Sequence, residues 1–276
     1  MQPEATDEEL LNRLAAGETA AARTLVERNA RAIHRLAHAI VGDAASAEDV
    51  TQETFARALA ALGSFDPAKG RARTWLLAIA RHVSFEMLRR RREMPGGDGG
   101  DAETLLGLSL AAGWGAGESV ETATLRAETR EQLVRALASL PARDREILVL
   151  REVEGLDGAE VAALLGVDLP AMKSRLHRAR LRLVGAMGAF TEGIMTIERE
   201  AGGLRCTEVL DVLSDYVDGE LGAASRGQVE GHLRGCTVCA TFGGRFASVV
   251  DGIREKLGAE PALAPEVLAA LTARLR

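Results

Sequence analysis

The stretch Leu140–Leu183, LPARDREILVLREVEGLDGAEVAALLGVDLPAMKSRLHRARLRL, decides how the chain is read. Its middle has the pattern of a helix-turn-helix. Ala162 is the small residue, Gly166 the turn glycine, and Met172 the apolar residue that packs the second helix onto the first. Gly166 can end the first helix in a left-handed conformation, Asp168 can cap the second, and Pro170 is tolerated in a first helical turn. Beyond the turn, Met172, Leu176, Ala179 and Leu183 recur at helical spacing and predict one buried stripe. Lys173, Arg175, Arg178, Arg180 and Arg182 lie off that stripe, with no acid among them. A buried stripe flanked by cations suits a helix lying in a major groove between phosphates. A solvated basic helix in a bundle would carry the cations too, but it has no need of the capped turn.

Outward from this stretch, 276 residues allow two or three small domains. Apolar residues make up 47% and aromatic ones 3%, with few β-branched runs or alternating apolar stretches, which predicts an all-α fold. The net charge of −6 looks unsuited to a DNA-binding protein, yet residues 71–92 hold seven arginines against the single Glu86. Local patches decide contact with nucleic acid more than the total does. No apolar run approaches the roughly 20 residues that span a bilayer. Met1–Gly17 is acidic and has no signal-peptide core, so a cytoplasmic chain without a membrane partner is expected. In a reducing compartment three cysteines point to metal or redox chemistry rather than a disulfide framework.

Towards the N-terminus, helical periodicity runs from Asp7 through Leu10, Leu11, Leu14, Leu25, Ile33, Leu36, Ala37 and Ile40 until Gly42 and Asp43 break it. A second helix is expected to start near Ser46 as its cap, and a third from about Thr74 into the run Arg89–Arg92. This predicts a three-helix domain with a cationic end. Residues 93–125 are Gly-rich and read as a linker.

Towards the C-terminus, Cys206, His232, Cys236 and Cys239 follow the pattern C-x25-H-x3-C-x2-C. His232 and Cys236, four apart on one predicted helix, share a face, and Cys239 follows a turn later. With Cys206 they can close a tetrahedron of three thiolates and one imidazole, a usual structural zinc set. The plainer alternative is three buried apolar cysteines beside a surface histidine. Phe246, Val249, Val250, Ile253 and Leu257 share one helical face, suited either to packing within the C-terminal part or to insertion between the preceding domains.

The runs LPARDREILVLREVEGL and KSRLHRARLRL resemble region 4 of bacterial RNA polymerase sigma factors, of the small extracytoplasmic-function (ECF) class within the sigma-70 family. AEDVTQETF is similar to sigma region 2.2 and WLLAIARHVSFEMLRRRR to regions 2.3 and 2.4. The Cys/His set with its spacer LSDYVDGEL is similar to the zinc-containing anti-sigma domain. Two departures are local: Pro170, Ala171 and Met172 replace the family's usual residues before Lys173, and His82 stands where Asn is frequent.

The resemblance implies an initiation factor, not an enzyme, whose partners are core RNA polymerase and promoter DNA. It implies region 2 over residues 7–92, a linker over 93–125, region 4 over 126–188 and an anti-sigma-like zinc domain over 200–276. Asp49, Gln52 and Glu53 would dock the clamp coiled coil of the polymerase largest subunit. Arg145, Glu146, Leu148 and Arg151 would lie near the flap of the second-largest subunit. Arg81, His82, Arg89 and Arg90 would meet the −10 element, and Lys173, Arg175, Arg178 and Arg180 the −35 element. The fused domain, with Zn2+ as its cofactor, would contact the sigma regions within the chain and regulate them in response to metal or redox signals, and either sign of control fits the sequence.

A metal-sensing helix-turn-helix repressor that works without polymerase is the alternative from another class, and it leaves AEDVTQETF and WLLAIARH without a task. A zinc hydrolase fits less well, because catalytic zinc keeps an open coordination position and this set offers four protein ligands.

Overall fold

The computed structural model describes residues 5–93, 131–188 and 199–258. Beyond Glu93, the expected linker lies outside the described residues, as does the side chain of Leu257. The described elements are helices and one short hairpin, β1 (Glu200–Ala201) paired antiparallel with β2 (Leu204–Arg205), so the fold is all-α.

Helix α1 (Asp7–Ala15) opens with a capping box: Glu9 N donates to Thr6 Oγ1 at 3.2 Å and Thr6 N donates to the Glu9 carboxylate at 2.8 Å. The single helix expected from Asp7 to Ile40 is in fact two, α1 and α2 (Ala20–Val41). Gly17, at φ +92°, turns the chain between them, a conformation glycine adopts without strain. The apolar pattern carries across the break because both helices face one core, with Leu10, Leu11, Leu25, Ile33 and Leu36 together in it. In α3 (Ala44–Ala60) the cap is Asp43 rather than Ser46; Ser46 N donates to Asp43 Oδ1 at 2.8 Å. With α4 (Ala72–Glu93) the N-terminal domain therefore has four helices instead of three.

Residues 131–138 form the described part of α5. Helix α6 (Ala142–Leu148) runs on as a π-turn, Val149–Val153, before α7 (Gly158–Leu165) and α8 (Leu169–Ala186). The turn between α7 and α8 has the chemistry read from the sequence. Gly166 sits at φ +68°, Ala171 N donates to Asp168 Oδ1 at 2.7 Å, and Pro170 lies in the first turn of α8. Met172, Leu176, Ala179 and Leu183 are at most 3% exposed.

The hairpin leads into α9 (Cys206–Val217), α10 (Ala223–Gly235) and α11 (Thr237–Gly258). The sequence placed His232 and Cys236 on one helix; instead α10 stops at Gly235, and Cys236 is extended (φ −130°, ψ 102°) ahead of α11. One apolar core runs through α1–α8 and takes in Ile253 of α11, and a second joins Val184 of α8 to Leu213, Phe242, Phe246 and Val250.

Candidate functional site

Helical geometry of 3.6 residues per turn fixes what α8 presents. With Met172, Leu176, Ala179 and Leu183 turned inward, Ser174, His177, Arg178 and Leu181 point outward. Arg175 and Arg182 then fall on one flank, Lys173 and Arg180 on the other. On the first flank Arg175 donates to Glu146 at 3.2 Å and to the Arg143 carbonyl at 2.8 Å, and Arg182 pairs with Asp144. On the second, Arg180 is fully buried between Glu152, at 2.9 Å from its Nε, and Asp218, at 2.8 and 2.9 Å. Lys173 lies 3.1 Å from Asp215 and 2.7 Å from Glu220. Arg254 of α11 reaches the same acids, Glu152 at 2.7 Å and Asp218 at 2.6 Å.

Part of the outward face, around His177 and Leu181, is covered as well, while Ser174 and Arg178 stay exposed. His177 Nδ1 lies 3.0 Å from Ser214 Oγ, its ring is 6.4 Å from that of Phe246, and Leu181 packs on the Leu213–Phe242 cluster. Arg178 remains exposed and donates to Ser174 Oγ at 2.6 Å. Burial works to raise the Asp218 carboxyl, but the Arg180 guanidinium, helped by Arg254 and Arg151, holds it below the ordinary carboxylate value. Burial pushes the His177 imidazole down.

In the N-terminal domain Asp49 and Glu53 are exposed on α3 and, with Gln52, line a cleft of about 730 Å3 that Phe55, Val83 and Met87 also border. His82, Arg89 and Arg90 are exposed on α4, with Arg90 paired to Glu86. Arg81, by contrast, turns into a pair with the fully buried Glu146. Trp75 packs against the core, its ring 5.4 Å from that of Phe65.

The four metal-ligating candidates converge. Cys206 is the first residue of α9, His232 lies in the last turn of α10, Cys236 sits at the break and Cys239 in the first turn of α11. All four are buried, and their ligand atoms lie within 4.8 Å of one another. Cys206 Sγ and Cys236 Sγ are 3.9 Å apart, close to the roughly 3.8 Å edge of a tetrahedron with zinc–sulfur bonds of about 2.3 Å.

His232 carries the most telling detail. Its Nδ1 donates to the carbonyls of Ala201 and Leu204 at 3.1 and 2.9 Å, which in the neutral imidazole puts the lone pair on Nε2, and that buried nitrogen has no hydrogen-bond partner among the described residues. A backbone-oriented imidazole with a free, buried lone pair is what a metal ligand requires. The hairpin delivers those carbonyls through Gly202 (φ +58°), where a Cβ would stand 2.6 Å from His232 N. Burial acts to raise the Cys236 thiol, but the Cys239 amide and the neighbouring Cys206, Cys239 and His232 side chains bring it down to about 7. Burial and the other thiols push Cys239 up.

Three family models match successive parts of the chain. Residues 25–94 match the family Sigma-70 region 2, residues 130–183 match Sigma-70, region 4, and residues 206–240 match a zinc-finger family. The ECF RNA polymerase sigma factor SigC of Mycobacterium tuberculosis is 37% identical over 142 residues, 51% of this chain and 70% of SigC. The RNA polymerase sigma factor CnrH of Cupriavidus metallidurans is 33% identical over 195 residues, 70% of this chain and 100% of CnrH. The chain belongs to the ECF sigma factors of bacterial RNA polymerase. Among solved structures, CnrH in complex with the cytosolic domain of CnrY aligns at 26% identity over 67% of this chain and 99% of that one, with a TM-score of 0.48.

As a sigma factor the chain binds core RNA polymerase and promoter DNA and directs transcription initiation. It carries a zinc-finger-family segment on the same polypeptide. Among the described residues no helix is long and apolar enough to cross a membrane. No local sequence signal links the cations of α8 to their acids, since Glu146, Glu152 and Asp218 are 29, 28 and 38 residues from the arginines they bond.

Proposed function

We propose that this is a cytoplasmic, autoinhibited sigma factor, a transcription factor and not an enzyme, whose own C-terminal zinc domain closes the promoter-reading helix. The proposed division is region 2 over residues 7–92, a linker over 93–125, region 4 over 126–188 and the regulatory domain over 200–276. Asp49, Gln52 and Glu53 dock core polymerase, and their position on an open cleft supports this. Arg81, His82, Arg89 and Arg90 serve the −10 element. Of the −35 set, Arg178 and Lys173 are the primary phosphate and base contacts, Arg175 joins once released from Glu146, and Arg180 positions the helix through Glu152.

Cys206, His232, Cys236 and Cys239 hold Zn2+ as a structural metal; the free Nε2 of His232 supports that assignment. Bound zinc would tie the starts of α9 and α11 together. These are the two helices whose far ends carry Asp215 and Asp218 on one side and Ile253 and Arg254 on the other. Metal loss or thiol oxidation would free those ends.

The observation that carries the reading is the partial cover on α8: the C-terminal domain packs along its His177 and Leu181 side and neutralises Lys173 with Asp215 and Glu220. DNA phosphates and these carboxylates compete for one ammonium group. The test is transcription by core polymerase from a matched promoter with the full chain and with Asp215→Asn/Glu220→Gln. The double variant should be several-fold more active at equal concentration; unchanged or lower activity with retained helicity would count against autoinhibition.

A further inference from the structure

Two buried carboxylates in region 4 point away from the C-terminal domain. Glu154, just past the π-turn, has a fully buried side chain, and both of its ion pairs run to region 2: Arg35 of α2, at 2.8 and 3.2 Å, and Arg73 of α4. Glu146, also fully buried, pairs with Arg81 of α4 on one side and with Arg175 of the promoter-reading helix on the other. Arg145 crosses the same boundary and donates to the carbonyls of Ala39 and, at 3.3 Å, Ile40. Those carbonyls belong to the last turn of α2, where carbonyls lack intrahelical partners and attract cations. Around these contacts Leu36, Ile40 and Leu76 of region 2 share an apolar core with Leu148 and Leu150 of region 4.

We propose that regions 2 and 4 hold each other directly, through Glu146 and Glu154, in a closed form that cannot engage a promoter and does not depend on the C-terminal domain. Geometry decides the incompatibility. Elements centred near −10 and −35 lie about 25 base pairs apart, roughly 85 Å along the duplex at about 3.4 Å per pair. Arg81 and Arg175, one from each reading surface, meet on a single carboxylate. The two surfaces must separate before both elements can be contacted.

The clamp is suited to opening. Burial pushes the Glu146 carboxyl above its ordinary value despite both guanidiniums, so desolvation offsets much of the Coulombic gain, as is common for buried ion pairs. DNA phosphates offer the same arginines an equivalent charge-assisted partner. The inference rests on the sigma-factor identity and not on the autoinhibitory role of the tail, because Arg35, Arg73 and Glu154 make their pairs within residues 35–154.

The experiment uses the full chain, with fluorophores placed by non-canonical amino acids at the exposed positions Glu27 and Ala163 so that the cysteines stay intact. Single-molecule energy transfer then reads the separation of regions 2 and 4. Glu154→Gln should raise the separated-to-closed ratio at least tenfold. Arg35→Gln should raise it similarly, and the double variant should open no further than the more open single, the signature of one shared interaction.

Asp215→Asn/Glu220→Gln should leave this ratio unchanged while altering transcription, so a failed clamp and a failed tail reading give different patterns. An unchanged ratio in both single variants, or effects of the two that simply add, would overturn the proposal. If Glu154→Gln loses helicity, Arg35→Gln in the other domain decides alone.

Discussion

Arg178 and Arg180 are two residues apart on α8 and have opposite fates. Arg180 is fully buried among Glu152, Asp218 and the neighbouring Arg254, whereas Arg178 is exposed. Removing one partner of a buried ion pair costs about 3–5 kcal/mol, so Arg180→Ala should lower the melting temperature by roughly 10 °C. Arg178→Ala should change stability by no more than about 0.5 kcal/mol while weakening −35-dependent transcription. Thermal melts beside transcription from promoters with and without a −35 element check both halves, and equal melting losses in the two variants would contradict the assignment.

His177 adds a pH dependence at the same scale. It faces Ser214 and Phe246, with Asp211, Asp215, Arg178 and Arg180 around it, and burial depresses its pKa. A depressed imidazole favours docking only while neutral. Docking of the C-terminal domain should therefore be at full strength above about pH 6.5 and weaken as pH falls below that value. Hydrogen exchange of α9 across this range, with His177→Asn as the flat control, measures it; docking that strengthens on acidification would contradict the sign.

At the scale of elements, the turn between α7 and α8 was legible because its signals are local. Gly166, Asp168 and Pro170 each act within a few residues, and all three stand in the roles read for them. Three features escaped. The α1–α2 break is invisible to periodicity because both helices turn apolar residues to one core, so the pattern runs through Gly17. The break at Cys236 hid behind the four-residue spacing from His232, which mimics a continuous helix face. The burial of Glu146, Glu152 and Glu154 has no local signal, since their partners come from other helices. The Cys206, His232, Cys236 and Cys239 cluster was legible as a residue set, but not the hairpin that orients His232.

Gly202 makes that hairpin testable. A Cβ there would collide with the backbone of His232 and Gly231 at 2.6 and 2.7 Å, at a φ of +58°. Gly202→Ala should displace the Ala201 and Leu204 carbonyls from His232 Nδ1 and weaken zinc affinity by roughly 10–100-fold, as loss of an outer hydrogen bond to a ligand does. Competition with a chromophoric chelator reads this directly, and unchanged affinity would remove the hairpin from the site.

For the whole molecule, the proposed zinc domain, the two sigma domains and their mutual contacts would form one equilibrium. Structural zinc contributes on the order of 10–16 kcal/mol of apparent binding free energy, comparable with the roughly 5–15 kcal/mol that holds a typical domain together, so the C-terminal domain should fold only with metal. Ten residues, 189–198, separate Gly188 from Arg199. A tether of that length gives an effective concentration in the millimolar range, and a micromolar contact would then favour the closed form about a thousandfold, near 4 kcal/mol. Polymerase, DNA or a change at the thiols must supply that amount.

The most direct measurement is promoter-specific transcription by core polymerase with the full zinc-loaded chain and with the chain ending at Gly188, titrated side by side. The account predicts that the shortened chain reaches half-maximal transcription at a much lower concentration, with a gain of up to roughly a thousandfold. Coincident titration curves, or a shortened chain that transcribes less, would contradict it.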